Sequence, residues 1–221
     1  MMAVALAALA LLATLWLARI SAVLRLRGAA RPAGSPPIRT MVVLGSGGHT
    51  SEMLSLVGSI DRAKYAPLLY VLARSDSTSL HRVEAAERAR ARPAEGSQSA
   101  AGGPCEVLRV PRSREVAQSY LTSVFTTLYA LSTSFAILLR TRPSLLICNG
   151  PGTCIPICLA AFALRLLGIK YVTIIYVESV CRVRSLSMSG KIMIHLADKF
   201  LVQWPQLASR FPKSTYVGRV C

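Results

Sequence analysis

TMVVLGSGGHTSEML, residues 40–54, decides the fold. Apolar, β-favouring residues 40–44 run straight into Gly45-Ser46-Gly47-Gly48-His49, and a helical spacing of apolar side chains follows from about Thr50 to Ile60. A strand that turns through glycines into a helix opens a βαβ unit. Glycines there permit positive φ and close backbone approach. The free N–H groups of the helix start can hold a phosphate. The same residues also read as a tight turn with no ligand, and the pattern alone leaves both open. It is not the dinucleotide fingerprint, because Thr50 stands where GxGxxG needs its last glycine. Nor is it a P-loop, since no GK[ST] follows.

Further strand-like runs occur at residues 65–73, 106–110, 145–148, 170–177, 200–203 and 215–217. Helical patterns lie between them. One covers 116–140, with Tyr120, Val124, Leu128, Leu131 and Phe135 on or near one stripe. Another covers 153–167, and a third is capped by Ser189 and runs to about 197. Residues 84–103 (EAAERARARPAEGSQSAAGG) are low in complexity and read as a mobile loop that starts as a frayed helix. Strands alternating with helices imply right-handed crossovers. The expected fold class is therefore α/β, a Rossmann-like, mostly parallel sheet spanning residues 39–221.

Three motifs in this frame carry chemistry. The first is the loop Gly45, Ser46, Gly47, Gly48 with His49 at the helix start. The positive end of a helix dipole favours neutral imidazole, which can take a proton from a sugar hydroxyl. A histidine merely packed at the turn fits equally well. The second is Asn149-Gly150-Pro151-Gly152-Thr153, again between a strand and a helix, readable as a ligand cradle or a rigid turn. The third is Glu178 at the end of a β-branched strand, either a base and sugar ligand or an ion-pair partner of Arg182 or Arg184. In a parallel sheet all three share the carboxyl edge, where ligands bind. Arg112 and Arg114, in Pro111-Arg-Ser-Arg-Glu115, also follow a strand and can meet a diphosphate or lipid headgroups, or simply be solvated. Ser187-Met-Ser-Gly-Lys191 invites the same two readings. His81 and His195 have no companions at ligand spacing and read as structural.

Residues 1–18 carry no charge, and apolar character continues to residue 26. A span of about 20 such residues crosses a bilayer as one helix. Arg19, Arg25, Arg27 and Arg31 follow it and no charge precedes it, which puts the N-terminus in the lumen and the body in the cytosol. A cleaved signal peptide is the alternative, but the basic region that should precede its apolar stretch is missing. Arg19 is expected to snorkel. Residues 1–27 thus read as anchor and basic flank, and 28–38 (GAARPAGSPPI) as a linker.

The 221 residues hold 26 Lys and Arg against 10 Asp and Glu, a net charge of +16. The surplus predicts an anionic neighbour: a phospholipid surface or a phosphorylated substrate. No zinc-finger spacing, zipper heptad or RNA-binding aromatic signature is present, so nucleic acid is not the expected partner. The six cysteines form no CxxC pair and no Cys/His cluster of zinc spacing, and no paired carboxylates of the DxD type occur, so no metal is expected; no cofactor is expected either. Several lie in apolar runs and read as reduced thiols. The lone asparagine, Asn149, precedes Gly-Pro, so there is no glycosylation acceptor.

GSGGHTSEML, VPRSRE, CNGPGTCIPIC, YVESVCRV, SLSMSGK and VQWP, in this order, resemble the membrane-anchoring subunit of the two-component UDP-N-acetylglucosamine transferase of dolichol-linked oligosaccharide synthesis, the Alg14 family. The resemblance spans residues 40–220. It implies the amino-terminal, acceptor-binding half of an inverting GT-B glycosyltransferase, inactive alone, on the cytosolic face of the endoplasmic reticulum. It implies a soluble donor-binding subunit of the Alg13 type as partner and N-acetylglucosaminyl-diphospho-dolichol as acceptor. The related bacterial enzyme carries a G-G-T-G-G-H loop where this chain has Gly45 to His49. His49 then corresponds to a proposed general base, and Glu178 is a second candidate. Gly45, Ser46, Gly47, Gly48, Asn149, Gly150, Gly152, Thr153, Arg112 and Arg114 would bind the acceptor and its diphosphate. The ending Tyr216-Val-Gly-Arg-Val-Cys221 is expected to dock on the partner. A purely structural recruiter, whose glycine loops only shape the fold, is the alternative. A self-sufficient nucleotide-binding enzyme is disfavoured by the broken fingerprint.

Overall fold

A computed structural model of the chain describes residues 1–25, 36–91, 105–113, 120–150 and 152–220. Its strands are β1 (Thr40–Val43), β2 (Leu68–Ala73), β3 (Cys105–Val110), β4 (Leu145–Asn149), β5 (Thr173–Val177), β6 (Lys199–Val202) and β7 (Ser214–Tyr216). They form one sheet in the order β3-β2-β1-β4-β5-β6-β7, and every neighbouring pair is parallel. The helices are α1 (Met2–Arg25), α2 (Gly48–Gly58), α3 (Ser77–Ala91), α4 (Tyr120–Thr141), α5 (Cys154–Leu166), α6 (Met188–Leu196) and α7 (Pro205–Arg210). The chain winds outward from β1 to β3, then returns to place β4 on the other side of β1. The winding direction thus reverses between β1 and β4, and a crevice opens at their carboxyl ends.

Strand alternation divides the core. Met41, Val43, Leu69, Val71, Leu146, Cys148, Ile174 and Tyr176 join one buried cluster with α4, α5 and α6. Val42, Leu44, Leu68, Tyr70, Leu72 and Ile147 join the other with α2 and α3. Both faces of the central strands are therefore covered, as an all-parallel sheet requires. Arg165, with only 2% of its surface exposed, seals the far end of α5. It donates to both oxygens of Asp198 at 2.7 and 2.9 Å, and the Ile174 N–H donates to the same carboxylate at 2.8 Å.

Several boundaries differ from the pattern reading. The first eight residues of the stretch read as a mobile loop belong to α3, because its Ala, Glu and Arg residues favour helix. Glu87 also ties that helix to Arg62 and Tyr70 and pairs with Arg90 one turn on; residues 92–104 lie outside the described residues. Ser187, not Ser189, caps α6, accepting from Gly190 N at 2.9 Å. The short helix α7, with proline at its first turn, was not legible in the sequence.

Helix α1 contains a 20-residue stretch, Val4–Val23, long and apolar enough to cross a membrane by length and composition. Thr122–Thr141 of α4 passes the same test. However, α4 is the crossover between β3 and β4, and it turns Ala130, Ser134 and Leu138 into the fold while Val124, Phe125, Leu128 and Tyr129 face outward. The Arg19 guanidinium donates to the carbonyls of Leu166 and Arg165 at 3.0 and 3.2 Å. It thereby caps the carboxyl end of α5 with a cation and ties α1 to the body.

Candidate functional site

The turn after β1 reaches α2 through Gly47, which has φ +65° and caps the helix without a side-chain hydrogen bond. The helix starts two residues earlier than the pattern reading, so His49 lies in its first turn. The loop is pinned from behind: the buried Thr50 hydroxyl donates to Gly45 O and lies 2.6 Å from Ser79 Oγ. Ser79 donates to Asp76 at 2.7 Å, and Arg82 donates to Gly47 O at 2.8 Å. These ties order the backbone without side chains of the loop itself.

The turn after β4 meets the first one directly. Gly150 has φ +67°, and a Cβ there would lie 2.6 Å from His49 Nδ1 and 2.7 Å from its Cγ. The glycine is needed twice, for the left-handed backbone and for the approach of the imidazole. Asn149 Nδ2 donates to His49 O at 2.9 Å. Asn149 is 2% exposed and ties the two loops together. From below, the Tyr176 hydroxyl donates to Gly150 O at 3.3 Å and lies 3.3 Å from Ser187 Oγ. Burial, helped by the nearby Glu178 charge, pushes that hydroxyl far above the ordinary phenol range and keeps it a neutral donor. Gly152 sits against the exit of β3, where Ser113 Oγ donates to Gly152 O at 3.0 Å. Thr153 precedes α5 and makes no capping hydrogen bond. Arg112 is half-buried at the same exit, and Arg114 lies outside the described residues.

A cleft of about 520 Å³ opens over this junction. Gly48, His49, Glu52 and Gly150 form one wall; Ser179, Arg182, Ser187 and Met188 form the other. It brings together the two glycine turns, the histidine and one cation. Arg182 was legible in the sequence only as an ion-pair partner of Glu178, and Glu52 was not singled out at all.

Glu178 sits differently from the sequence expectation. It is fully buried, and its carboxylate accepts from Ser179 N at 3.0 Å, Ser187 N at 3.0 Å and Ser187 Oγ at 3.1 Å. It points beneath the start of α6 rather than into the cleft, pairing with neither Arg182 nor Arg184 but accepting from the N–H of that helix's N-cap, Ser187. The carboxylate also packs against Gly190 so closely that no Cβ fits there. Its negative charge occupies the α6 start, which argues against the phosphate role read into residues 187–191.

Elsewhere, among the described residues, Cys105, Cys148, Cys154, Cys158 and Cys181 form no disulfide. Among the described residues no group of three or more His, Cys, Asp or Glu side chains is placed to hold a metal ion. The final residues fold back toward the site: Val217 N donates to Val202 O at 3.1 Å, Val220 N to Gln203 Oε1 at 3.0 Å, and Ser55 Oγ to Val220 O at 2.9 Å.

Residues 40–220 match the family described as "Oligosaccharide biosynthesis protein Alg14 like". The chain is 50% identical over 183 residues to the UDP-N-acetylglucosamine transferase subunit ALG14 of Mus musculus, covering 83% of each chain. It is 51% identical over 180 residues to that of Homo sapiens, covering 81% of this chain and 82% of the human one. Among solved structures, MurG of Acinetobacter baumannii superposes with a TM-score of 0.55 at 14% identity over 83% of this chain and 45% of that one. A putative UDP-N-acetylglucosamine 2-epimerase from Listeria monocytogenes gives 0.57 at 14% identity, covering 80% and 42%. The calicheamicin glycosyltransferase CalG4 gives 0.50 at 12% identity, covering 84% and 53%. The chain spans about half or less of these three structures, and the likeness to them is one of fold: a Rossmann-like half of the GT-B fold.

Proposed function

Since this chain belongs to the Alg14 family of oligosaccharide biosynthesis proteins, we propose that it is the membrane-anchored, acceptor-binding subunit of a UDP-N-acetylglucosamine transferase. It adds the second N-acetylglucosamine, in β1-4 linkage, to N-acetylglucosaminyl-diphospho-dolichol. The observation that carries this reading is the contact of His49 with Gly150 across the switch point, under an open cleft that holds a cation. One Rossmann-like half cannot enclose a sugar nucleotide between two domains. A separate donor-binding subunit is needed to complete the site, and the chain alone is inactive.

The acceptor diphosphate lies at the N–H groups of the α2 start and against Arg182, with Arg112 close by. The 4-hydroxyl of the acceptor sugar attacks the anomeric carbon of the donor in line. The new O–C bond forms as the bond to UDP breaks, which inverts the centre. The exposed edge of His49 takes the hydroxyl proton, and the partner's groups stabilise the charge on departing UDP. Glu178 acts indirectly, by holding the start of α6 beside the cleft. Residues 1–27 anchor the chain in the endoplasmic reticulum membrane with a luminal N-terminus, and 28–38 link them to the body at 39–221.

The acceptor assignment predicts that Arg182→Ala raises the KM for the diphosphate-lipid acceptor about tenfold, the loss of one charge-assisted contact. The KM for the sugar nucleotide and kcat stay near their starting values. An unchanged acceptor KM in steady-state assays of the complex would contradict it. The tail, held along the sheet edge beside α2 with Tyr216 and Val217 exposed, is the segment offered to the soluble partner. Deleting residues 216–221 is expected to abolish co-purification of that partner, and a deletion that leaves the complex intact would remove the tail from the interface.

A further inference from the structure

Two buried polar atoms face each other in the cleft wall without a hydrogen-bond partner among the described residues: His49 Nδ1 and Glu52 Oε2, 3.9 Å apart. We infer that Glu52 is the positioning residue of His49, holding the ring proton on Nδ1 so that Nε2 presents its lone pair to the acceptor hydroxyl. This rests on the proposed role of His49 as base.

The two residues are three apart on α2 and so share a helix face. Glu52 is 8% exposed, and its other oxygen accepts from Ser179 Oγ at 2.9 Å. Ser179 Oγ in turn accepts from Cys181 N at 3.3 Å. The carboxylate is therefore steered from the exit of β5, which leaves Oε2 aimed along its own helix at the imidazole. A buried carboxylate oxygen without a donor is costly, and the histidine nitrogen is the donor beside it. The separation exceeds a hydrogen bond, but a small side-chain rotation closes it, and such contacts tighten when substrate binds. With Nδ1 buried, the solvent-facing part of the ring carries Nε2. The proton on one ring nitrogen is set by the hydrogen bond that nitrogen makes. The carboxylate also stabilises the imidazolium that forms as the hydroxyl proton arrives.

Glu52→Gln separates this role from simple packing. Glutamine keeps the acceptor for Ser179, but its amide donates toward Nδ1 and moves the ring proton to Nε2, the wrong tautomer for a base. The variant is compared with Glu52→Asp, His49→Ala and the double variant in the purified complex, with both substrates varied. The expected result is a kcat about 10²-fold lower in Glu52→Gln, with both KM values within about twofold, partial recovery in Glu52→Asp, and no further loss when Glu52→Gln is added to His49→Ala. A near-normal kcat in Glu52→Gln beside a crippled His49→Ala overturns the positioning role alone. An added loss in the double variant assigns Glu52 to structure and equally overturns it. A near-normal His49→Ala overturns the base itself, and the positioning role with it.

Discussion

His49→Ala is expected to lower sugar transfer by about 10³-fold, within the range a positioned general base supplies, while the complex with the soluble subunit persists. The ring is part of the cleft wall, and alanine removes the nitrogen that takes the proton without adding bulk. The α2 start survives the change, because Gly47 makes no side-chain cap and Thr50 holds the loop through Gly45. Binding of the diphosphate at the loop backbone is therefore retained, and the loss falls on kcat rather than on either KM. A structural recruiter predicts otherwise: its variants lose activity only by losing the partner. Paired turnover and co-purification measurements distinguish the two, and full turnover from the alanine variant would eliminate His49 as the base.

Gly150→Ala is expected to damage the same site from the other side. The new methyl would lie 2.6 Å from His49 Nδ1 and 2.8 Å from its Cε1, so the ring must move away. A displacement of about 1 Å at a catalytic group costs on the order of 10²-fold in rate. The residue also sits at φ +67°, where a side chain adds backbone strain of about 1–2 kcal/mol. His49→Ala is the internal control, because it removes the ring that the methyl would meet and leaves the backbone at φ +67°. Gly150→Ala in the His49→Ala background should show the strain alone, and Gly150→Ala by itself the strain plus the clash. Thermal unfolding of the two variants checks this order, and equal destabilisation would mean that the ring evades the methyl at no cost.

The β1 turn and the β4 turn were legible because each compresses strand, glycines and helix start into a few residues, and the sheet topology then obliges them to meet. The orientation of Glu178 was not legible. It follows β5, but whether its carboxylate rises into the cleft or turns under the sheet edge depends on Ser187, nine residues later. Glu52 was missed for a similar reason. Its spacing from His49 is local and readable, yet the hydroxyl that steers it belongs to Ser179, 127 residues away. The helix α3 was hidden by its low complexity, although its Ala, Glu and Arg residues individually favour helix. Arg19 looked like a blemish in an apolar span because its partners, the last carbonyls of α5, are nearly 150 residues distant. Local backbone punctuation is written in short motifs, whereas the partner of a buried charge is set by packing.

On the proposed function, this chain supplies half of an active site. The direct measurement is transfer of N-acetylglucosamine from UDP-N-acetylglucosamine to a diphosphate-lipid acceptor, in membranes from cells lacking the endogenous complex. Transfer is compared for this chain alone, the soluble subunit alone and the two together. Product is expected only when both are present. Transfer by this chain alone would contradict it.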